Sequence, residues 1–262
     1  MISGTTTIFF MIAHPIAHVR TPEVINPLFE VRGIDAVVVP AHYHPDAFEA
    51  GWEGLRHIQN LGGVVVSVPL KEAAFRLSDM ADDTAREIGA ANAVRRTTDG
   101  RFVCANFDGP GFTAGVMNGG RDVIGRHVLL VGAGGGGSSI AFALAKAGAA
   151  SIRIADLDGK RAERLVVAVR QRHPNLDVRA GPPDPAGRNL IINATPCGLY
   201  PETDPLPVDV NKLTPDMIVA DIVMKPVLTP LLAAAERAGC AVRFGAGMLD
   251  SQAELMMRFF GY

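Results

Sequence analysis

The chain has 262 residues, 48% of them hydrophobic and 20% charged, with a formal net charge of −2. That length and apolar content supply a core for one or two domains, and the balance of charge gives no field to recruit nucleic acid or an anionic membrane. The three cysteines, Cys104, Cys197 and Cys240, are odd in number and far apart, which excludes a disulfide framework or clustered zinc site and favours a reducing, cytoplasmic setting.

The apolar start, Met1 to Ala13, lacks a basic leader and is too short to span a bilayer. Ile8–Ile12 within it reads as the first strand. A helix is expected at Pro22–Val31, a strand at Ala36–Val39, a helix at His44–Leu61 and a strand at Gly63–Val68. Asp82–Gly89 reads as another helix, with the paired Asp82 and Asp83 serving its N-terminus. The stretch from Arg95 through Asp99-Gly100 to Arg101 reads as a hairpin turn ahead of Phe102–Ala105. After Asp108-Gly109-Pro110-Gly111 the pattern restarts. Strands are expected at Val128–Val131, Ile152–Ala155, Leu190–Asn193, Met217–Asp221 and Val242–Phe244. Helices fall at Ser138–Ala147, Lys160–His173 and Thr229–Ala238, and the proline-rich stretches 182–185 and 201–207 are loops. The alternation of strand and helix in both halves predicts an α/β chain with two doubly wound parallel-sheet domains. The boundaries expected are 1–105 for a substrate-binding catalytic domain, 106–240 for a dinucleotide-binding domain, and 241–262 for a segment returning to the first. A final helix at Met248–Phe260 would pack back there and cap a cleft in which a small substrate meets a dinucleotide.

The most informative run is Val128-Leu129-Leu130-Val131-Gly132-Ala133-Gly134-Gly135-Gly136-Gly137. Gly132, Gly134 and Gly137 fit G-x-G-x-x-G between a strand and an alanine-rich helix, and Asp156 follows near the end of the next apolar run. The first glycine permits a tight turn, the second a close approach of backbone to pyrophosphate, the third close packing of helix on strand. The helix N-terminus offers free N–H groups to phosphate.

Lys71 follows Val-Ser-Val-Pro-Leu, where a strand meets a turn, in a chain with only five lysines. An ammonium at the C-terminal end of a parallel strand can exchange a proton with a substrate oxygen. Asp108 can accept a hydrogen bond from a substrate alcohol, although aspartate before glycine is also a common turn residue. Which of the two serves as base stays open. No His, Cys or Asp cluster has metal spacing, so no metal is expected. His14 and His18 flank Pro15, and His42 and His44 lie in a turn.

Seven ordered segments then make the chain resemble the shikimate dehydrogenase family. They are Ala13-His14-Pro15-Ile16-Ala17-His18-Val19-Arg20-Thr21-Pro22, the strand Gly63–Val68 with Pro69-Leu70-Lys71, Gly89-Ala90-Ala91-Asn92-Ala93, and Asn106-Phe107-Asp108-Gly109-Pro110-Gly111. Ile192-Asn193-Ala194-Thr195-Pro196-Cys197-Gly198-Leu199, Asp221-Ile222-Val223-Met224-Lys225-Pro226, and Gly245-Ala246-Gly247-Met248-Leu249-Asp250-Ser251-Gln252 complete the set. The resemblance implies a reversible NAD(P)-dependent oxidation of a secondary ring alcohol of shikimate, quinate or an amino analogue. It makes Lys71 and Asp108 catalytic and puts Thr21, Ser67, Asn92 and Gln252, with Val19 and Met224, around substrate. It puts Gly132 through Gly137, including Ala133, Gly135 and Gly136, on the cofactor, with Asp156, Asp158, Arg161, Thr195, Pro196, Ile222, Gly245 and Met248. The partners implied are a small molecule and, at most, a second copy in a homodimer.

Two departures from the family pattern carry information. Where NADP-using members commonly have Asn-Arg-Thr, this chain has Asp156-Leu157-Asp158, and carboxylates there favour a ribose diol over a 2′-phosphate. NAD is therefore expected over NADP, with Lys160 and Arg161 the residues that could still reach a phosphate. Three positions usually polar toward the substrate's acid end are Val19, Val65 and Met224. A reaction centre is kept and the recognition of the acid end is altered. Two other readings share the architecture: a methylenetetrahydrofolate dehydrogenase, opposed by the Asn-Phe-Asp-Gly and Gly-Met-Leu-x-x-Gln segments, and a non-catalytic nucleotide- or metabolite-sensing module, opposed by retention of Lys71 and Asp108.

Overall fold

The computed structural model describes residues 2–17 and 19–262, so any reading of His18 lies outside it. The chain forms two α/β units, Met1–Phe107 with Gln252–Tyr262, and Asp108–Ser251.

The first unit contains β1 (Thr7–Ala13), α1 (Thr21–Val31), β2 (Ala36–His42), α2 (Phe48–Leu55), β3 (Leu61–Val66), α3 (Lys71–Leu77), β4 (Met80–Ala81), α4 (Asp83–Ile88), β5 (Ala93–Arg96) and β6 (Phe102–Ala105). Its sheet runs β2-β1-β3-β5-β6-β4. β1, β2 and β3 are parallel, but β5 runs antiparallel to both β3 and β6. The sheet is therefore mixed, not wholly parallel, and the Asp99-Gly100 hairpin makes β5 and β6 antiparallel neighbours without a crossover helix. Both faces are covered, which explains near-continuous apolar strands. Val64 and Val66 of β3 pack with Phe48, Trp52 and Phe102. Val65 packs on the other face with Met11, Ile25 and Phe29. The helix expected over His44–Leu61 is shorter. Pro45–Ala47 is a 3₁₀ turn, and after α2 the Asn60 side chain donates to the Thr6 carbonyl as the chain enters β3.

The second unit contains α5 (Asp108–Gly115), β7 (His127–Val131), α6 (Gly135–Lys146), β8 (Ser151–Ala155), α7 (Gly159–Arg172), β9 (Asp177–Ala180), β10 (Leu190–Asn193), β11 (Ile218–Asp221), α8 (Pro230–Arg237), β12 (Ala241–Phe244) and the start of α9 (Ala246–Phe260). Its sheet is wholly parallel in the order β12-β11-β10-β7-β8-β9. That is the doubly wound dinucleotide order, with the reversal between β7 and β10. Residues 241–251, expected in the returning segment, instead belong here, since β12 pairs with β11. Only Gln252 onward groups with the first unit, where Ala253, Met256 and Met257 of α9 enter the cluster around Phe9 and Phe29. The strand β9 and the short helices α3 and α5 were not legible as elements.

Candidate active site

At the topological switch of the second unit, the Gly132 N–H donates to the Ala155 carbonyl and the Ala194 N–H to the Val131 carbonyl. Gly132 has φ of +105°, and a Cβ there would stand 2.7 Å from the Ala194 carbonyl oxygen. A Cβ on Gly137 would lie 2.0 Å from the Gly132 carbonyl oxygen. These two glycines are required by the protein's own packing. Gly134 and Gly135 differ: nothing lies within 4 Å of where their Cβ atoms would be. The helix α6 starts at Gly135, three residues before the position expected, so among its first-turn N–H groups, which have no carbonyl in their own helix, that of Gly135 lies beside open space and that of Gly136 has only Ile222 near its missing side chain. The cradle fits a pyrophosphate.

Asp156, at the end of β8, accepts from the Ala133 N–H at 2.7 Å and from the Asp158 N–H at 2.9 Å. The Ala133 amide, expected at the cofactor, is thus committed to Asp156. Asp158 caps α7, accepting from the N–H groups of Lys160 and Arg161. It shapes the turn, and its carboxylate is already engaged. Leu157 between them is fully exposed, and Lys160 and Arg161 are exposed.

The 193–198 loop is held by buried polar residues that sequence reading left without roles. Asn193 donates to the Asp221 carboxylate at 3.0 Å and to the Cys197 carbonyl at 3.0 Å. Asp221 also accepts from Thr229 Oγ1 at 2.8 Å and the Val223 N–H at 2.9 Å. Burial nonetheless pushes the Asp221 carboxyl up from its ordinary value, against those hydrogen bonds. The Thr195 hydroxyl donates to Asn193 Oδ1 and accepts from the Cys197 N–H, so it works within the loop, while Pro196 is exposed. The Ile222 Cδ1 atom lies 3.8 Å from where a Gly136 Cβ would be. Gly245 backs onto Asp221 and Ile222, where a Cβ would meet their backbone at 2.7–2.8 Å. Met224 and Met248 are half-buried in this unit.

Asp108 opens α5 and is buried. The next residue fixes its place: the Gly109 N–H donates to Ser139 Oγ at 2.6 Å. A Cβ on Gly109 would meet the Ser139 carbonyl oxygen at 2.2 Å, so glycine lets α5 lie against α6. Ser139 was not singled out from sequence; a serine inside an alanine-rich helix was its only signal.

In the first unit, polar groups gather at the C-terminal ends of β1 and β3. Ser67 follows β3, its N–H bound to the Ile12 carbonyl. Lys71 is the first residue of α3, half-buried, and its carbonyl accepts from the Ala91 N–H. That bond brings the Asn92 segment beside Lys71. The buried Asn92 gives its backbone to Val66 and Ala105, and its Oδ1 accepts from the Phe107 N–H at 2.9 Å. Asn106 donates to the Ala90 carbonyl at 3.1 Å, locking the same turn. Thr21, buried, sits one turn before Ile25 on α1, and Gln252, buried, one turn before Met256 on α9; Ile25 and Met256 share one core cluster. Val19 packs against that cluster. Val65, expected as pocket wall, is 2% exposed within it and is core. Among the described residues no group of three His, Cys, Asp or Glu is arranged to hold a metal ion.

The family model for the shikimate dehydrogenase substrate binding domain matches residues 11–94. A shikimate dehydrogenase (NADP(+)) from Rubrobacter xylanophilus is 36% identical over 256 residues, covering 95% of this chain and 88% of that protein. A shikimate dehydrogenase solved in complex with NADP+ superposes with a TM-score of 0.92 at 29% identity, covering 100% of this chain and 92% of that one. The ligand-free 5-ketofructose reductase of a Gluconobacter strain does so with a TM-score of 0.88 at 28% identity, covering 99% and 94%. Sequence, fold and cradle agree: the chain belongs to the shikimate dehydrogenase family of nucleotide-dependent oxidoreductases.

Proposed function

We propose that this protein is an NAD-using dehydrogenase that reversibly oxidises a secondary ring alcohol of shikimate, quinate or a related cyclic hydroxy compound. Asp156 carries the cofactor preference. Its carboxylate stands at the end of β8, anchored by the Ala133 and Asp158 amides, with exposed Leu157 following in place of a cation. Each oxygen retains a lone pair for a ribose hydroxyl, and its charge opposes a 2′-phosphate. The bound nucleotide supplies the hydride acceptor. Lys71 moves the proton at the reacting oxygen, and Asp108 accepts a hydrogen bond from that hydroxyl. Thr21, Ser67, Asn92 and Gln252 orient the ring. Arg161 serves the nucleotide side, with Gly132 to Gly137, Thr195, Pro196, Ile222, Gly245 and Met248. The chain acts in the cytoplasm as a monomer or homodimer.

A second reading concerns the substrate alone. Val19 lies against an apolar cluster where the family pattern has a carboxylate-binding serine, and the 5-ketofructose reductase shares the fold. Both favour a substrate without an acid at that end. The test is turnover of the purified protein with NAD and NADP against shikimate and quinate, and with NADH and NADPH against neutral polyhydroxylated ketones, read at the absorbance of the reduced nucleotide. We expect higher kcat/KM with NAD; a clear NADP preference on any good substrate overturns the assignment of Asp156. No turnover of any of these with either nucleotide overturns the dehydrogenase reading itself.

A further inference from the structure

The second unit carries a cluster of arginines that the dehydrogenase chemistry does not use. Register places Arg153 of β8 directly beside Arg179 of β9. Ser151 and Arg153 are two apart on one strand and so share a face. Arg188, at the end of the 181–189 connection, reaches the same face and donates through Nη1 to Ser151 Oγ at 3.1 Å. With Ile152 and Asp177 these residues line a cavity of about 120 Å³, large enough for a tetrahedral oxyanion.

The cations are poorly compensated. Adjacent like charges in a parallel ladder repel. Asp177 is paired with Arg179, its Oδ1 accepting from Nε at 2.8 Å. Asp184, the other acid near Arg153, is held by Lys212 at 3.0 Å. The Arg153 side chain makes no hydrogen bond or ion pair among the described residues. Arg188 Nε is buried with no hydrogen-bond partner, one of two such atoms among the described residues. A buried guanidinium nitrogen without an acceptor is costly. Burial, with Arg153 and Arg179 alongside, also draws the Arg188 guanidinium below its ordinary value.

The cluster is distinct from the nucleotide cradle. Ser151 starts β8, His127 starts β7 and bonds Ser151 Oγ through Nδ1 at 2.9 Å, and Arg188 precedes β10. Those three lie at the N-terminal ends of their strands, with Arg153 midway along β8 and Arg179 beside it on β9, whereas the glycine turn lies past the C-terminal end of β7. Four residue steps of strand, roughly 13 Å, separate the two ends.

We propose that Arg153, Arg179 and Arg188, with the Ser151 hydroxyl, form a second anion site on this protein, selective for a phosphate group. Guanidinium forks match tetrahedral oxygens in pairs, and the ligand supplies the acceptor that Arg188 Nε lacks. Inorganic phosphate is the probe. Binding is measured by calorimetry and by thermal shift on the whole chain, with chloride at matched ionic strength as control. The variants are Arg153→Gln, which removes a cation that holds no protein partner, and Arg188→Gln. Wild type should bind phosphate and gain melting temperature over the chloride control. Each variant should weaken binding about tenfold or more, as loss of one charge-assisted contact implies. Arg153→Gln should also melt no lower than wild type without phosphate, since it relieves repulsion. No phosphate effect beyond chloride in wild type would overturn the proposal. So would binding that Arg153→Gln leaves unchanged, because the phosphate would then sit elsewhere, whether or not the nucleotide assignment holds.

Discussion

The two units hold their chemistry in different ways. The second builds its cradle mostly from main chain: a parallel switch point, glycines whose missing side chains either admit a neighbour or leave open space, and one carboxylate fixing the turn. The site proposed for the first draws on side chains from separate elements: Thr21 on α1, Ser67 after β3, Lys71 on α3, Asn92 before β5 and Gln252 on α9. A main-chain site tolerates change in side chains but not in glycines. A side-chain site can be re-tuned one residue at a time. The glycine pattern is intact, while side chains depart from the family pattern in both units: Val19 in the first, Asp156-Leu157-Asp158 and Met224 in the second.

The sharpest break of the comparison is removal of the proposed proton-transfer group, Lys71, from the first unit. Lys71→Ala should lower kcat by a factor on the order of 10²–10⁴, the usual range for a lost acid–base group. The Kd for NAD should barely move, because the lysine is not in the unit that carries the cradle. Near-normal turnover would remove Lys71 from the mechanism. Re-tuning should be milder. A hydrogen bond to a charged group contributes about 1.5–3 kcal/mol, so Val19→Ser should improve kcat/KM for shikimate by roughly 10- to 150-fold. If wild type already handles shikimate well and serine adds nothing, the acid end is recognised by other groups.

The difference between units also explains what sequence could reveal. A glycine turn between strand and helix is a local demand, so Gly132, Gly134 and Gly137 could be read directly, and the helix and strand cores around them fell within a few residues of their expected places. The Asn193–Asp221–Thr229 network could not. Its members are 28 and 8 residues apart and meet only because β10 and β11 pair in register. Val65 was misread because β3 is covered on both faces, and a strand apolar throughout gives no sign of which side chains reach a pocket. The strand β9 has alternate polar residues and only Val178 buried, too little pattern to stand out from the proline-rich loop beyond it.

Within the cradle itself, the glycines should separate into two kinds. Gly137→Ala sets a Cβ against the backbone of Gly132 at 2.0 Å. Neither atom is a flexible side-chain end, so the variant should lose stability by about 1–3 kcal/mol, as overpacking does. Gly135→Ala adds its methyl to open space at the first turn of α6. It should keep or slightly gain stability, since alanine is the better helix former, yet bind NAD several-fold more weakly by crowding the pyrophosphate. Chemical denaturation and NAD titration on both variants give the answer. Equal behaviour of the two would mean that the open space at Gly135 is not where the nucleotide lies.

The smallest effect belongs to Asp221, and its sign follows from burial. Its folded carboxyl is raised above its ordinary value because it is desolvated, despite three donors. The native state therefore holds the proton more tightly than the unfolded chain does. Between the unfolded value, about 3.9, and the raised folded one, the native state binds more protons, so stability contributed by this group falls as pH rises. It is fully present below the unfolded value and lost once pH passes the folded one. One proton limits the slope to about 1.4 kcal/mol per pH unit. Asp221→Asn keeps an acceptor for Asn193 and Val223 and cannot ionise; the Thr229 hydroxyl must turn to accept from the new amide. Relative to that variant, wild type should therefore be at its best near pH 4 and lose ground toward neutral pH. Melting curves of both proteins from pH 4 to 8 isolate the effect, because all other titrating groups cancel in the difference. A difference that stays flat across that range, or one that grows in favour of wild type as pH rises, would mean that the hydrogen bonds around Asp221 outweigh its burial.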